Sequence, residues 1–257
     1  MDLRIPTKGN KELAEVLKRV YEDKELETFW QCANVVAIDR LGWSDHGPMH
    51  VKIMSNIGLK ILRLLLEAGV TPNIVKDHKM TKNDAEVVVA LGCVLHDIGH
   101  VVHRYNHAVY SIPIALRFLD RYLEGIYNTK KRAIITSDVL HAIVSHGPKA
   151  PPLTIEAGVV KVADALDMEK GRARIPFKAG KINIHSVSAM AIDRITIERG
   201  EDKPIKIIIE MSNSAGIFQI DDLLGKKVKG SGLEEYLKIV VQVKPEGETR
   251  IVDKFEF

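Results

Sequence analysis

Through the first 170 positions apolar residues recur at helical spacing, and after that they alternate with polar ones. Leu13, Val16, Leu17 and Val20 mark residues 11 to 40 as helical, with a stop at Gly42. In WSDHGPMH, Ser44 or Asp45 can cap a second helix and Pro48 suits its first turn. That helix runs to Gly69, with His50 in its first turn and His46 just ahead of it. Thr81 and Asp84 have capping-box spacing and open the next helix. It turns Val87, Val88, Leu91 and Leu95 inward and delivers His96 and Asp97 near its end. Gly99 is a natural break, which makes VVHRYN a loop and starts a new helix at His107, running to Leu123 with Pro113 in its first turns. A helix over 129 to 146 stops at His146-Gly147-Pro148, and PKAPP is a stiff connector. Thr154 caps a further helix, running to Gly171, that carries Asp164 and Asp167 in its middle.

After Ile175-Pro176 the composition changes. INIHSVSAMAIDRITIERG and KPIKIIIEM are β-branched and partly alternating, so they read as strands joined by the turn at 200 to 204. IFQIDDLLGKK and GLEEYLKI read as short helices, and KIVVQVK and RIVDKFEF as final strands. The expected architecture is mainly α: a helical unit over 1–177 and a small α+β unit over 178–257.

Composition adds mostly exclusions. The 257 residues are 46% hydrophobic and 28% charged, with a net charge of +3, which gives no broad field for nucleic acid or membrane. The N-terminus has no signal-peptide core, and the longest apolar runs are too short to span a bilayer. The two cysteines, Cys32 and Cys93, have no CxxC spacing and suit a reducing, cytoplasmic setting.

The chemistry concentrates in LGCVLHDIGHVVHRYNHAVY, residues 91 to 110. On a continuous helix His96, His100, His103 and His107 would share a stripe about 60° wide, with Asp97 on its edge. Imidazole and carboxylate together are the common ligands of Zn, Mn, Fe and Ni. The alternative is a solvated helix face with incidental histidines. Asp164 lies among small apolar residues, where a carboxylate needs a partner: a metal, or an ion pair to Lys161 or Arg174.

The order His50, then HDIGH at 96 to 100, then VADALD at 162 to 167 resembles the HD superfamily of metal-dependent phosphohydrolases. The likeness runs from about residue 44 to 176, roughly half the chain. HRYNHAVYSIPIAL, VLHAIVSHGPK and VKVADALDMEKGRAR are similar to stretches of the HD domain of ribonuclease Y and other HDIG proteins, while DHGPMH and the C-terminal unit suggest a separate, archaeal-type branch. The resemblance implies that His50, His96, Asp97 and Asp164 hold one divalent metal. It implies that His107 and His146 hold a second, with Asp97 bridging. Two ions about 3.5–4 Å apart can share a hydroxide that attacks phosphorus. The implied cofactor is a divalent transition metal (Mn, Fe, Ni or Zn, with Mg as an option), two per chain.

Many HDIG proteins have Lys where this chain has His100. That imidazole can contact phosphate or protonate the leaving oxygen, which places it with Asp97 and His103 as a catalytic candidate. His103 stands between substrate contact and exposed loop. Arg172, Arg174 and Lys149 are candidate phosphate contacts; for the arginines the alternative is a pair with Asp167, Glu169 or the domain interface. His141 would point about 140° from His146 on a shared helix and reads as packed rather than ligating. His46 is a candidate by its position in the turn, and His78 and His185 lie outside the pattern. The expected substrate is a nucleotide or another small phosphate ester. An RNA-cleaving phosphodiesterase and a non-catalytic metal- or nucleotide-sensing module are the rivals. The C-terminal unit has no catalytic constellation and suits homo-oligomerisation or docking on the helical unit.

Overall fold

The computed structural model describes residues 3–169, 188, 190–243 and 254–256. Its first part is helical. Asn10 caps α1 (Lys11–Glu22), and Asp23 ends that helix and caps α2 (Lys24–Asn34). The stretch expected to be helical over 11 to 40 is therefore two helices with a bend, because one aspartate serves both ends. α2 widens into a π-helical turn, Val35–Arg40, and the chain leaves it at Gly42 in the left-handed region.

Pro48 opens α3 (Pro48–Glu67) as expected. A short helix that the sequence pattern did not announce, α4 (Asn73–His78), follows. Its first amides donate to the buried Glu156 carboxylate, so its start depends on a side chain about eighty positions away. The capping box of Thr81 and Asp84 opens α5 (Lys82–Leu95), which is buried from Asp84 to Leu95 and forms the centre of the bundle. Around it pack α1, α3, α7 (Thr129–Ser145) and α8 (Ile155–Leu166), while α6 (His107–Leu123) packs on α7 and on the 3-10 turn Ile98–Val101. The restart at His107 is present, but the break comes at Leu95, four residues before Gly99, which lies inside the 3-10 turn. α8 stops at Leu166, short of the expected Gly171, because Asp167 leaves the helix at ψ 68°.

The C-terminal part holds strands β1 (Ile192–Arg199), β2 (Ile205–Met211), β3 (Leu237–Val243) and β4 (Lys254–Glu256), in that order across one sheet. β1–β2 and β3–β4 are antiparallel and β2–β3 is parallel. A parallel neighbour requires a crossover. That crossover is helical over Gln219–Gly225 and α9 (Lys226–Lys229), and it packs on α8. The helix expected from GLEEYLKI is absent: residues 233 to 236 turn, and β3 begins at Leu237. Pairing of Leu237, Lys238 and Ile239 with β2 outweighs local helical spacing. β1 packs on α3, and its Ile195 amide donates to Glu169 just beyond α8. One connected hydrophobic core runs from the helices into the sheet, including Leu91, Val160, Ile207 and Ile239. The expected unit boundary near 178 lies outside the described residues, as does His185. Among the described residues no helix is long and apolar enough to cross a membrane.

Candidate metal centre

Five helix ends and one 3-10 turn converge on one buried point. The first turn of α3 supplies His50, and the C-terminal end of α5 supplies His96 and Asp97. The 3-10 turn adds His100, the first residue of α6 is His107, and the C-terminal end of α7 presents His146. α8 contributes Asp164. His50, His96, His100 and His146 are at most 2% exposed.

The orientation of the rings is fixed from outside. The Nδ1 of His96 lies 2.9 Å from the Cys93 carbonyl, that of His107 2.9 Å from Arg104 O, and that of His146 2.5 Å from Ile143 O. Each of these partners is three residues upstream of its histidine. The Nδ1 of His50 lies 2.6 Å from the Asp167 carboxylate. Four Nδ1–H groups therefore donate outward to oxygen, and four Nε2 lone pairs face inward. They meet in pairs: His50 and His96 Nε2 are 3.1 Å apart, and His107 and His146 Nε2 are 3.0 Å apart. Two imidazole lone pairs that close repel unless a cation lies between them.

Asp97 divides the two pairs. Its Oδ2 is 3.4 Å from His50 Nε2 and 3.1 Å from His96 Nε2, whereas its Oδ1 is 3.1 Å from His107 Nε2 and 3.6 Å from His146 Nε2. Asp164 Oδ1 lies 3.4 Å from His50 Nε2 and 3.8 Å from His96 Nε2. Among the described residues, four groups have ligand atoms close enough to share an ion. They are His46–Asp97–His100, His50–His96–Asp97, His96–His146–Asp164 and Asp97–His107–His146. The donor set fits a divalent ion of the transition series.

Electrostatics leave these groups ready to bind. Burial would raise the Asp97 carboxyl, yet the surrounding His96, His100 and His107 rings hold it well below the usual range. Burial opposes Asp164 likewise, and Lys227 and His50 override it. Burial lowers His146 to about 4 and pushes His100 down as well. At neutral pH the carboxylates are thus charged and these two imidazoles neutral.

The structure brings His50, His96, Asp97, His107, His146 and Asp164 together, with His100 beside them. It does not bring in His103, an exposed loop residue whose Nδ1 accepts from the Tyr105 amide. Lys149 lies at the rim, donating to Asn106 and sitting 5.2 Å from the Tyr105 ring. Arg172 and Arg174 lie outside the described residues. His141 is turned away, accepting from the Leu153 amide, and His78 is exposed.

Four contributors go beyond the expected set or change role. His46 is buried, with its ring 4.5 Å from His100 and 5.7 Å from His50. Asp167, expected at most to pair with arginines, holds His50. Arg104 donates to His100 Nε2 at 3.2 Å while stacking 4.8 Å from the Trp43 ring. Lys227 contacts Asp164 Oδ2, so the partner of that carboxylate is neither Lys161 nor, among the described residues, any arginine. Lys161 instead donates to Gly147 O, tying α8 to the turn after His146. Two of the four carried a signal in the sequence: His46 by its place in the turn before His50, and Asp167 one helical turn after Asp164.

The family profile described as HD domain matches residues 51–169. The chain belongs to the HD family of metal-dependent phosphohydrolases. It is also 43% identical over 238 residues to the uncharacterized protein MJ1020 of Methanocaldococcus jannaschii, covering 91% of this chain and 92% of that one. No solved structure matches it. The HD match begins one residue after His50 and ends before the crossover that carries Lys227, so His46, His50 and Lys227 are supplied from outside it.

Proposed function

We propose that this HD protein is a phosphohydrolase or phosphodiesterase acting on a nucleotide or another small phosphate ester at a centre for two divalent ions. What carries the reading is the paired, inward-facing Nε2 atoms of four tautomer-fixed histidines, one pair on each oxygen of Asp97. His50, His96, Asp97 and Asp164 would hold the first ion, and His107, His146 and Asp97 the second. When bound, the ions would polarise phosphoryl oxygens and supply a nucleophile from water at neutral pH.

The chain's own residues do the rest. Arg104 donates to Nε2 of His100, which leaves the proton of that neutral ring on Nδ1. The Nδ1 of His100 is buried with no hydrogen-bond partner, so a substrate oxygen that reached it would gain a donor. Arg104 and Lys149 place positive charge at the rim, suited to phosphate. Trp43 and Tyr105, exposed beside those cations, offer ring faces to a base, which favours nucleotides over simple esters. A non-catalytic sensing role fits less well, because the ligand set is complete. The free thiols Cys32 and Cys93 suit a cytoplasmic setting.

The test is a panel of nucleoside mono-, di- and triphosphates, cyclic nucleotides, p-nitrophenyl phosphate and short RNA. It is run on chelated protein resupplied with Mn, Fe, Ni, Zn or Mg. Metal-dependent release of phosphate or nucleotide is expected. Folded, metal-loaded protein inactive on every ester would overturn the proposal, and cleavage confined to RNA would replace its substrate class.

A further inference from the structure

The C-terminal part makes a contact to the metal centre that the HD match does not include. α9 sits on α8, and Lys227 extends from it to Asp164. The two oxygens of Asp164 have different surroundings. Oδ1 faces His50 and His96 inside the site, while Oδ2 faces the Lys227 ammonium at its edge. The side chains of Asp164 and Lys227 are 12% and 31% exposed, so the pair is partly shielded from water. The neighbouring Lys226 points elsewhere and pairs with Asp222 on the surface.

We propose that Lys227 is a positioning residue for the metal centre: it clamps the outer oxygen of Asp164 so that the inner oxygen is presented to the first ion. This rests on the metal centre proposed above. The terminal torsion of an aspartate is broad and nearly two-fold, so an unclamped carboxylate swings readily between one-oxygen, two-oxygen and outward arrangements. A charge-assisted bond to one oxygen removes that freedom. Groups in this outer position change metal affinity or activity by about 10–100-fold when they are removed. An ammonium near an ion also repels it, and this acts in the opposite direction. The carboxylate lies between the two charges, so the orienting effect dominates. The clamp gives the crossover a role at the site: its docking on α8 and the first ion's binding become coupled.

The experiment is a titration of metal-free, full-length protein with Mn2+ or Zn2+ by calorimetry, with circular dichroism confirming the fold. Lys227→Met should weaken one of the two ions by about 10–100-fold and leave the other unchanged. Lys227→Arg should restore most of the loss, and Lys226→Met should match wild type. If Lys227→Met fails to fold, Lys227→Gln keeps a hydrogen-bond donor and should show a smaller loss in the same direction. Metal binding that is unchanged or tighter in a folded Lys227 variant would overturn the proposal, as would a wild-type chain that binds no ion. Normal binding with the predicted Lys227 effect but no ester hydrolysis would sink the phosphohydrolase reading and leave this one standing.

Discussion

Gly99→Ala tests how closely the halves of the site must approach. A Cβ at position 99 would lie 2.1 Å from His107 O, 2.5 Å from Ser111 N and 2.8 Å from Tyr110 C, all backbone atoms of α6. Real Cβ contacts essentially never fall below 3.0 Å, so the first turn of α6 must retreat by about 1 Å. The present approach is held by the Gly99 amide donating to Ser111 Oγ at 2.8 Å, and by that hydroxyl donating to His96 O at 2.7 Å. Together these bonds register His107 against Asp97, where Nε2 and Oδ1 are 3.1 Å apart. Overpacking of this kind costs about 1–3 kcal/mol. For a chain of this size each kcal/mol shifts Tm by roughly 2–4 °C, so a fall of about 2–12 °C is expected in a thermal melt. A misplacement of about 1 Å at reacting groups can cost roughly 10²-fold in rate, and the second ion should be the one released. Gly92→Ala is the control. Its Cβ would meet the Val160 and Ala142 side chains at 2.9 and 3.3 Å, a milder approach to side chains rather than to the backbone of α6. It should keep both ions. A Gly99→Ala protein with wild-type Tm and full metal content would refute the reasoning.

Three further outcomes are expected. With metal in excess and folding confirmed, Asp97→Ala should damage activity most, because both oxygens are used; His107→Ala should be milder and His103→Ala milder still, and near wild-type turnover in Asp97→Ala would contradict this order. Asp167→Asn should lower affinity for the ion at His50 by about 10–100-fold, since the carboxylate fixes that ring's tautomer; calorimetry showing no change would remove Asp167 from the account. In metal-free protein His146 is depressed to about 4 from an ordinary 6.5, so the folded chain binds fewer protons than the unfolded one between those values. Stability should fall as pH drops through that window, by about 3 kcal/mol from this group, and urea midpoints lacking this fall relative to His146→Asn would contradict it.

That His50, His96, Asp97, His107, His146 and Asp164 would meet was legible through the resemblance, because their order survives in one dimension: a histidine at a helix start, His-Asp at a helix end, an aspartate in a small-residue helix. An interruption between His96 and His107 was legible for the same local reason, although it begins after Leu95 rather than at Gly99. What was missed, or for His46 offered only from its place in the turn, depends on contacts that local spacing does not encode. His46 enters the site because Asn34 accepts from its amide and donates to Asp45, folding the turn inward. Lys227 reaches Asp164 across 63 positions, through a crossover whose docking no local pattern encodes. α4 depends on Glu156 in the same way. GLEEYLKI shows the converse, helical spacing overridden once parallel pairing with β2 claims its last residues.

The claim that these histidines and aspartates form a divalent metal centre is tested most directly by elemental analysis of the full chain, purified without chelators and again after chelation and reconstitution. The account predicts close to two transition-metal ions per chain, falling to about one in His107→Ala. No more than trace metal after reconstitution of folded protein would contradict it.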